Sequence, residues 1–392
     1  MPNLRRGMMG AAGAGGAVGY TLWAWGDGQQ GILGTGTAGV INNSPVQVGS
    51  ESYWLGRDPE DEKKSKLSYA PAFAITNEGK LFTWGPGGDG RKGDGTTSNT
   101  CSPVQIGSLE DWDNVAAWDA GGSAVKTDGT LWTWGDGQFG ALGDGTTVDK
   151  SSPVQVGSLT DWDRVYAGRQ HTFGIKTDGT LWVWGFNQYG GNGTGNTTYY
   201  SSPVQVGSLT NWASLGPGSE YTAAVKTDGT LWAWGRNASG HLGTGNTTDY
   251  SSPVQIGSLT DWKQVSCHVG MNSPSRGGWL AVKTDGTLWG TGTQTTTIGA
   301  NTGEIGVGNT TTYSSPVQIG SLTDWKNVVS VHYASQAIKT DGTMWTWGRG
   351  YFGTGLGDNT DRSSPAQVGS DTTWQQVGTT AANTTYFGLK DA

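Results

Sequence analysis

Short stretches in which large apolar residues alternate with small or polar ones recur along the whole chain. One example, K-T-D-G-T-L-W-T-W-G from Lys126, returns nearly unchanged from Lys176, Lys226 and Lys339. Looser copies are N-E-G-K-L-F-T-W-G from Asn77, K-T-D-G-T-L-W-G from Lys283 and Y-T-L-W-A-W-G from Tyr20. Period-two alternation over so few residues predicts strands. Asp-Gly between two such runs predicts a hairpin, since both central positions of a type I′ turn need positive φ.

Four elements recur in fixed order. Element a is a Trp with an apolar residue three later, as in Trp112/Val115 and Trp262/Val265. A degenerate copy lies near Tyr53 and Trp54. Element b ends in A-V-K-T-D-G or a variant, c is L-W-x-W-G, and d is S-P-V-Q-[VI]-G. The repeat spans about 50 residues, which fits one four-stranded propeller blade. The chain begins with c and d and ends with a and b. The termini therefore complete one shared blade, and six whole blades plus that one make seven. The predicted fold is all-β, a seven-bladed β-propeller of antiparallel four-stranded blades over residues 20–392, closed by the shared blade. Residues 1–19 form a Gly/Ala-rich arm outside the repeats.

This pattern resembles the regulator of chromosome condensation repeat family, most plainly in GRQHTFGIKTDGTLWVWGFNQYGGNGTG (168–195). The resemblance covers nearly everything from Tyr20 onward and has the character of phage and bacterial members. It implies a seven-bladed propeller. It does not imply one function, because the family includes a nucleotide-exchange factor that also binds chromatin, and also inhibitors, adhesins and scaffolds.

The chain carries 21 Trp, of which all but Trp118 and Trp279 occupy fixed positions in elements a and c. Equivalent positions need equivalent environments. Residues two apart on a strand share a face, so the pairs Trp132/Trp134, Trp182/Trp184 and Trp232/Trp234 are expected to point together toward a neighbouring blade as structural core. Strand parity places the b–c and d–a turns on one, monotonous face. The a–b and c–d loops, including RDPEDEKKSKLSY (57–69), CHVGMNSPSRGG (267–278) and the other long insertion, fall on the opposite, variable face. Binding candidates there are Trp118, Asp119, Arg169, His171, Tyr189, Tyr199, Tyr221, His268, His332 and Tyr333. Phe139 and Phe186 belong to the same loops.

Charge and chemistry exclude several classes. The net charge of −8 argues against a nucleic-acid surface. No apolar run is long enough to insert in a membrane. Cys101 and Cys267 lie in distant repeats, so a disulfide is not expected. The four histidines, His171, His241, His268 and His332, come from four blades without ligand spacing, so no metal and no cofactor is expected. Segments such as GDGRKGDGTT (88–97) lack the carboxylate ladder of a calcium loop and read as Gly-rich turns. The Asn-x-Thr matches at Asn196, Asn246, Asn309 and Asn383 read as turn chemistry. No nucleophile elbow, phosphate loop or carboxylate pair is present, so an enzyme is not expected.

Two functional readings remain. One is a bacteriophage virion protein, a peripheral tail or capsid decoration located in the particle after assembly in the host cytoplasm. Its arm would anchor it to other virion proteins, with Arg5 and Arg6 pairing with carboxylates and Met8 and Met9 filling gaps. Its propeller would face outward for assembly or for attachment to a host-surface glycan or protein. The other is a soluble protein-interaction module, inhibitor-like or exchange-factor-like, that binds one protein partner through the variable face.

Overall fold

The computed structural model describes residues 19–55, 67–69, 71–268, 277–293, 303–330, 334–350, 354–379 and 385–392. These residues form seven four-stranded antiparallel sheets arranged in a ring. Blade 2 shows the plan: a is Trp112–Trp118, b Gly121–Lys126, c Leu131–Gly135 and d Lys150–Gln155. Blade 7 takes a (Trp374–Thr379) and b (Thr385–Asp391) from the end of the chain. Its c (Tyr20–Asp27) and d (Ile41–Gln47) come from the beginning. Tyr20–Gly26 pair residue for residue with Thr385–Asp391, so backbone hydrogen bonds close the ring. The expected fold and its shared blade are both present.

The a strands of neighbouring blades touch and exchange hydrogen bonds, which puts them toward the ring axis. Val165 N–H donates to Asn114 Oδ1 (2.7 Å), and Gln264 Nε2 donates to the Val328 carbonyl (3.0 Å). The d strands are half-exposed along their length and form the rim.

The hairpin differs from expectation. Gly129 has φ +80°, but Asp128 is not in the left-handed region, so the turn is not type I′. Gly129 N–H donates to the Lys126 carbonyl and Lys126 N–H to the Thr130 carbonyl. This is the three-residue hairpin that ends in a left-handed glycine. Asp128 stays at negative φ because its carboxylate has local work. Oδ1 accepts both the N–H (2.9 Å) and the O–H (2.7 Å) of Thr130, and Thr130 Oγ1 accepts the Trp132 indole N–H (2.8 Å).

The two Trp residues of element c share a face but divide the labour. Trp134 is buried among Phe73, Ile75, Leu81 and Ile106 of blade 1, together with Trp112 of its own blade. Trp132 is half-buried and forms one side of a cation clamp. Lys126 Nζ lies 4.9 Å from the Trp112 ring and 4.6 Å from the Trp132 ring. Lys176, Lys226, Lys283, Lys339 and Lys390 sit between the matching Trp pairs of blades 3 to 7. Each such contact is worth about 0.5–2 kcal/mol, depending on how dry it is. In blade 1 Thr76 replaces the Lys, and Trp54 packs on Phe82 directly (5.5 Å).

Two sequence assignments need correction. The insertion at 57–69 was placed in the a–b loop of blade 1. Trp54 already pairs with Thr76 as strand a, and Leu67–Tyr69 pairs with Ala72–Ala74. The insertion therefore interrupts strand a itself, and residues 56–66 lie outside the described set. Trp279, which fitted no repeat position, also has one. Blade 5 carries Thr291 where the other blades have the second Trp of element c, and Trp279 on strand b is the cross-strand partner of Thr291. Its indole fills the same slot from the neighbouring strand and donates to the Leu242 carbonyl (3.0 Å).

Trp279→Ala should cost about 3–5 kcal/mol, as a consensus Trp would. Trp279→Thr combined with Thr291→Trp should recover most of that loss. Urea unfolding of the single and double variants checks both. A double variant as unstable as Trp279→Ala would refute the slot exchange.

Candidate functional site

The c–d loops build the variable face on a common frame. Each passes a glycine under the next blade and re-enters at d. In blades 1, 2, 4 and 6 an Asn or Asp just before d braces the loop by accepting a backbone N–H from its start. Asn99 accepts Gly87 N–H (3.0 Å), Asp149 accepts Gly137 N–H (3.0 Å), Asp249 accepts Asn237 N–H (2.6 Å) and Asp361 accepts Gly350 N–H (2.8 Å). Asp27 and Asp136 cap the same turns from the other end, accepting Gln29 N–H (3.0 Å) and Gln138 N–H (2.7 Å). The loops are thus rigid, and what differs between blades is displayed on a fixed frame.

Charged groups link these loops across blades 1 to 4. Arg91 pairs with Asp89 (2.6 Å) and donates to the Asp119 carbonyl (2.9 Å). Arg169 approaches the Asp119 carboxylate at 3.6 Å. Burial pushes the Asp119 carboxyl up to about 6, against the pull of Arg169 and Arg91. Arg236 pairs with Glu220 (2.7 Å) and stacks on Tyr189, 4.3 Å from its ring centre. Asp119, Arg169 and Tyr189 therefore do belong to the variable face.

Four other candidates do not reach it. Trp118, His171, Tyr221 and His268 are buried, with relative exposures of 1%, 1%, 2% and 6%. They lie at or next to strand ends, and Tyr221 and His268 join neighbouring blades. The Tyr221 hydroxyl donates toward the His268 and Gly278 carbonyls (2.8 Å each) and accepts Gly278 N–H (2.9 Å). This ties blade 4 to blade 5. The His268 ring contacts Ser330 Oγ at 3.0 Å, tying blade 5 to blade 6. Trp118 packs on Ala141 and Leu142 of its own blade's c–d loop. Sequence reasoning missed these roles because a loop position at a strand end looks the same whether its side chain turns outward or between blades.

His332, Tyr333, Arg5, Arg6, Met8 and Met9 lie outside the described residues. Tyr199 is exposed (40%) and meets two rings that sequence spacing alone could not join to it. Phe139, Phe186 and Tyr199 contact one another at ring-centre distances of 5.2–5.4 Å. Among the described residues no group of three His, Cys, Asp or Glu is placed to hold a metal ion. No helix among them is long and apolar enough to cross a membrane.

Comparison with known proteins identifies the repeat in the middle of the chain and the fold of the whole. The regulator of chromosome condensation (RCC1) repeat matches residues 128–175, 178–225 and 228–271, and a second model of that repeat matches 162–190. No curated protein matches the chain by sequence. Among solved structures, Prp20p from Saccharomyces cerevisiae superposes with a TM-score of 0.77 at 18% identity, over 95% of this chain and 92% of its own. Prp20p binds Gsp1p and histones. Human WBSCR16 superposes with a TM-score of 0.78 at 15% identity, over 95% and 99%. Yeast RCC1 (Prp20) in its complex with Kap60 gives 0.75 at 17%, over 96% and 90%.

Burial holds His171, His241 and His268 down to about 4 from an ordinary 6.5. Between pH 6.5 and 4 the unfolded chain therefore binds protons that the native chain refuses. Stability from these groups is complete above pH 6.5 and is lost as the pH falls toward 4. Asp119 works in the opposite direction, being relieved below about pH 6. The melting temperature should fall between pH 7 and pH 5. His171→Leu should remove its share of that slope, about 2 kcal/mol at pH 5. Calorimetry across this range checks it, and an unchanged slope in the variant would count against the burial argument.

Proposed function

Because the chain is built from regulator of chromosome condensation repeats, we propose that it is a protein-interaction module that binds a partner through its variable face. The observation that carries this reading is the contrast between the two faces. The b–c turns repeat one hydrogen-bonded unit from blade to blade, centred on Asp128, Asp178, Asp228, Asp285 and Asp341. The c–d loops hold one frame but display different side chains on it. Arg236 between Glu220 and Tyr189 has no copy in the neighbouring blades, and neither does the Phe139–Phe186–Tyr199 group. Rigid display of unlike side chains suits recognition. Similar propellers, Prp20p and yeast RCC1, are described with protein partners, which supports the class of function. Identities of 15–18% carry the fold and name no partner. A binding role rather than catalysis also fits the buried setting of the histidines.

The virion reading rests on the arm at 1–19, of which residues 1–18 lie outside the described set, and no similar structure reported above is a virion protein. The interaction reading is therefore preferred. Its test compares faces. Tyr189→Ala with Arg236→Gln alters the variable face. Leu159→Ser with Leu209→Ser alters exposed positions (46% and 41%) on the uniform one. A protein captured by the wild-type chain from its native lysate should be lost at least tenfold with the first pair and kept with the second. Capture that ignores the first pair, or vanishes with the second, overturns the proposal.

A further inference from the structure

The repeat lets each loop position be compared between blades, and in blades 2 and 3 three neighbouring positions carry aromatic rings where some other blades carry polar residues. Just before strand d of blade 3 (Tyr200–Gln205), Tyr199 stands where Asn99, Asp149, Asp249 and Asp361 accept a loop-bracing N–H. A phenol ring has no carboxylate or amide to make that brace, and Asn187 ties this loop instead, its Nδ2 donating to the Asn196 (3.0 Å) and Thr198 (3.1 Å) carbonyls. Phe186 stands where Asp27 and Asp136 cap the turn. Phe139 sits at φ +59°, a left-handed position that it shares only with Gln30 and Asp89 among the described non-glycine residues. A bulky ring in that region is unfavourable. In all three positions the structurally better residue, present elsewhere in the same chain, has given way to an aromatic ring. The three rings come together at the surface.

Carboxylates adjoin one of the three rings, Phe139. An open cavity of about 650 Å³ is lined by Phe139, Asp89, Asp136, Asp149, Gln138 and Thr147. Asp89 already pairs with Arg91. Burial, with the charges of Asp149 and Asp89 beside it, holds the Asp136 carboxyl above its usual range although the Gln138 N–H opposes this. A cation entering the cavity would relieve that repulsion and meet an aromatic face. A guanidinium suits both demands, because its plane stacks on a ring while its edge forks onto a carboxylate.

We propose that the Phe139–Phe186–Tyr199 patch and the adjoining Asp136/Asp149 cavity dock an arginine-bearing segment of a partner protein. This rests on the interaction reading above and assigns it a location and a partner chemistry. The aromatic rings provide the contact area and the carboxylates select for positive charge.

The test uses the full chain and a fluorescently labelled poly-arginine peptide, with the citrulline peptide as its uncharged counterpart. Each variant takes the residue that the repeat uses elsewhere, so folding is protected. Tyr199→Asp supplies the brace, Phe139→Gln copies Gln30, and Asp149→Asn copies Asn99. Anisotropy titration in low salt should show the arginine peptide binding at least tenfold more tightly than the citrulline peptide. Each variant should weaken it about three- to tenfold with melting temperature held or raised. Tyr199→Asp is the discriminating variant. It adds a negative charge, so attraction by net charge alone predicts tighter binding, whereas loss of an aromatic contact predicts weaker binding. Tighter or unchanged binding by Tyr199→Asp overturns the proposal, as does equal binding of the citrulline peptide. Either result leaves capture that depends on Tyr189 and Arg236 untouched, so the two proposals fail separately.

Discussion

Seven close approaches between a glycine and an indole hold the ring together. In every blade the c–d loop carries a glycine at φ between +70° and +95°, namely Gly34, Gly93, Gly143, Gly193, Gly243, Gly306 and Gly355. A Cβ on any of them would lie 2.6–3.0 Å from the indole of the next blade, taken in order Trp84, Trp134, Trp184, Trp234, Trp279, Trp347 and Trp25. The last pair reaches the blade made from both termini. In five of the seven the indole N–H donates to a carbonyl of the same loop, at 2.8–3.0 Å. Both the left-handed backbone and the missing side chain are therefore required. The loop that displays variable residues outward is the loop that seats the neighbouring blade inward. This is why its frame is rigid enough to display anything.

Much of this was legible before the fold was seen. Seven copies of a four-strand pattern, cut between b and c by the termini, left one architecture. The core role of the Trp residues followed from their insistence. Other features were hidden for physical reasons. The Gly-x-Gly pairs read as Gly-rich turns because the indole that excludes a Cβ belongs to the next blade, in most cases about 40 residues further on. The cation clamp was hidden because nothing in the K-T-D-G segment shows that its Lys lies between Trp residues of two other strands. The hairpin was misjudged because Asp-Gly signals two turn geometries, and the Thr after Gly129, through its bonds to Asp128, decided between them.

The binding candidates were mixed for a related cause. Position in a variable loop predicts that a residue can differ, not that it faces outward. Tyr221 and His268 differ from their counterparts because each blade junction is packed individually at its inner end. Tyr189 and Tyr199 differ on the solvent side. Aromatic identity could not separate the two groups, since a ring serves a junction and a docking surface equally well.

A repeat separates them by what each departure costs and whether the cost is repaid. At Thr291 the repeat loses an indole, and Trp279 restores it from the adjacent strand, over the equivalent glycine and with a hydrogen bond to the next carbonyl along the same loop. That departure is structurally neutral and implies no function. Tyr199 lacks the brace found in four other blades, Phe186 lacks the cap found in two, and Phe139 places a bulky ring in a left-handed conformation. Across the three, the loops gain ring contacts at the surface, where packing stabilises least because water remains on one side. A repaid departure is drift within a fold. The three aromatic departures instead gather next to the Asp136/Asp149 cavity, and the docking of an arginine-bearing segment is the reason proposed for them.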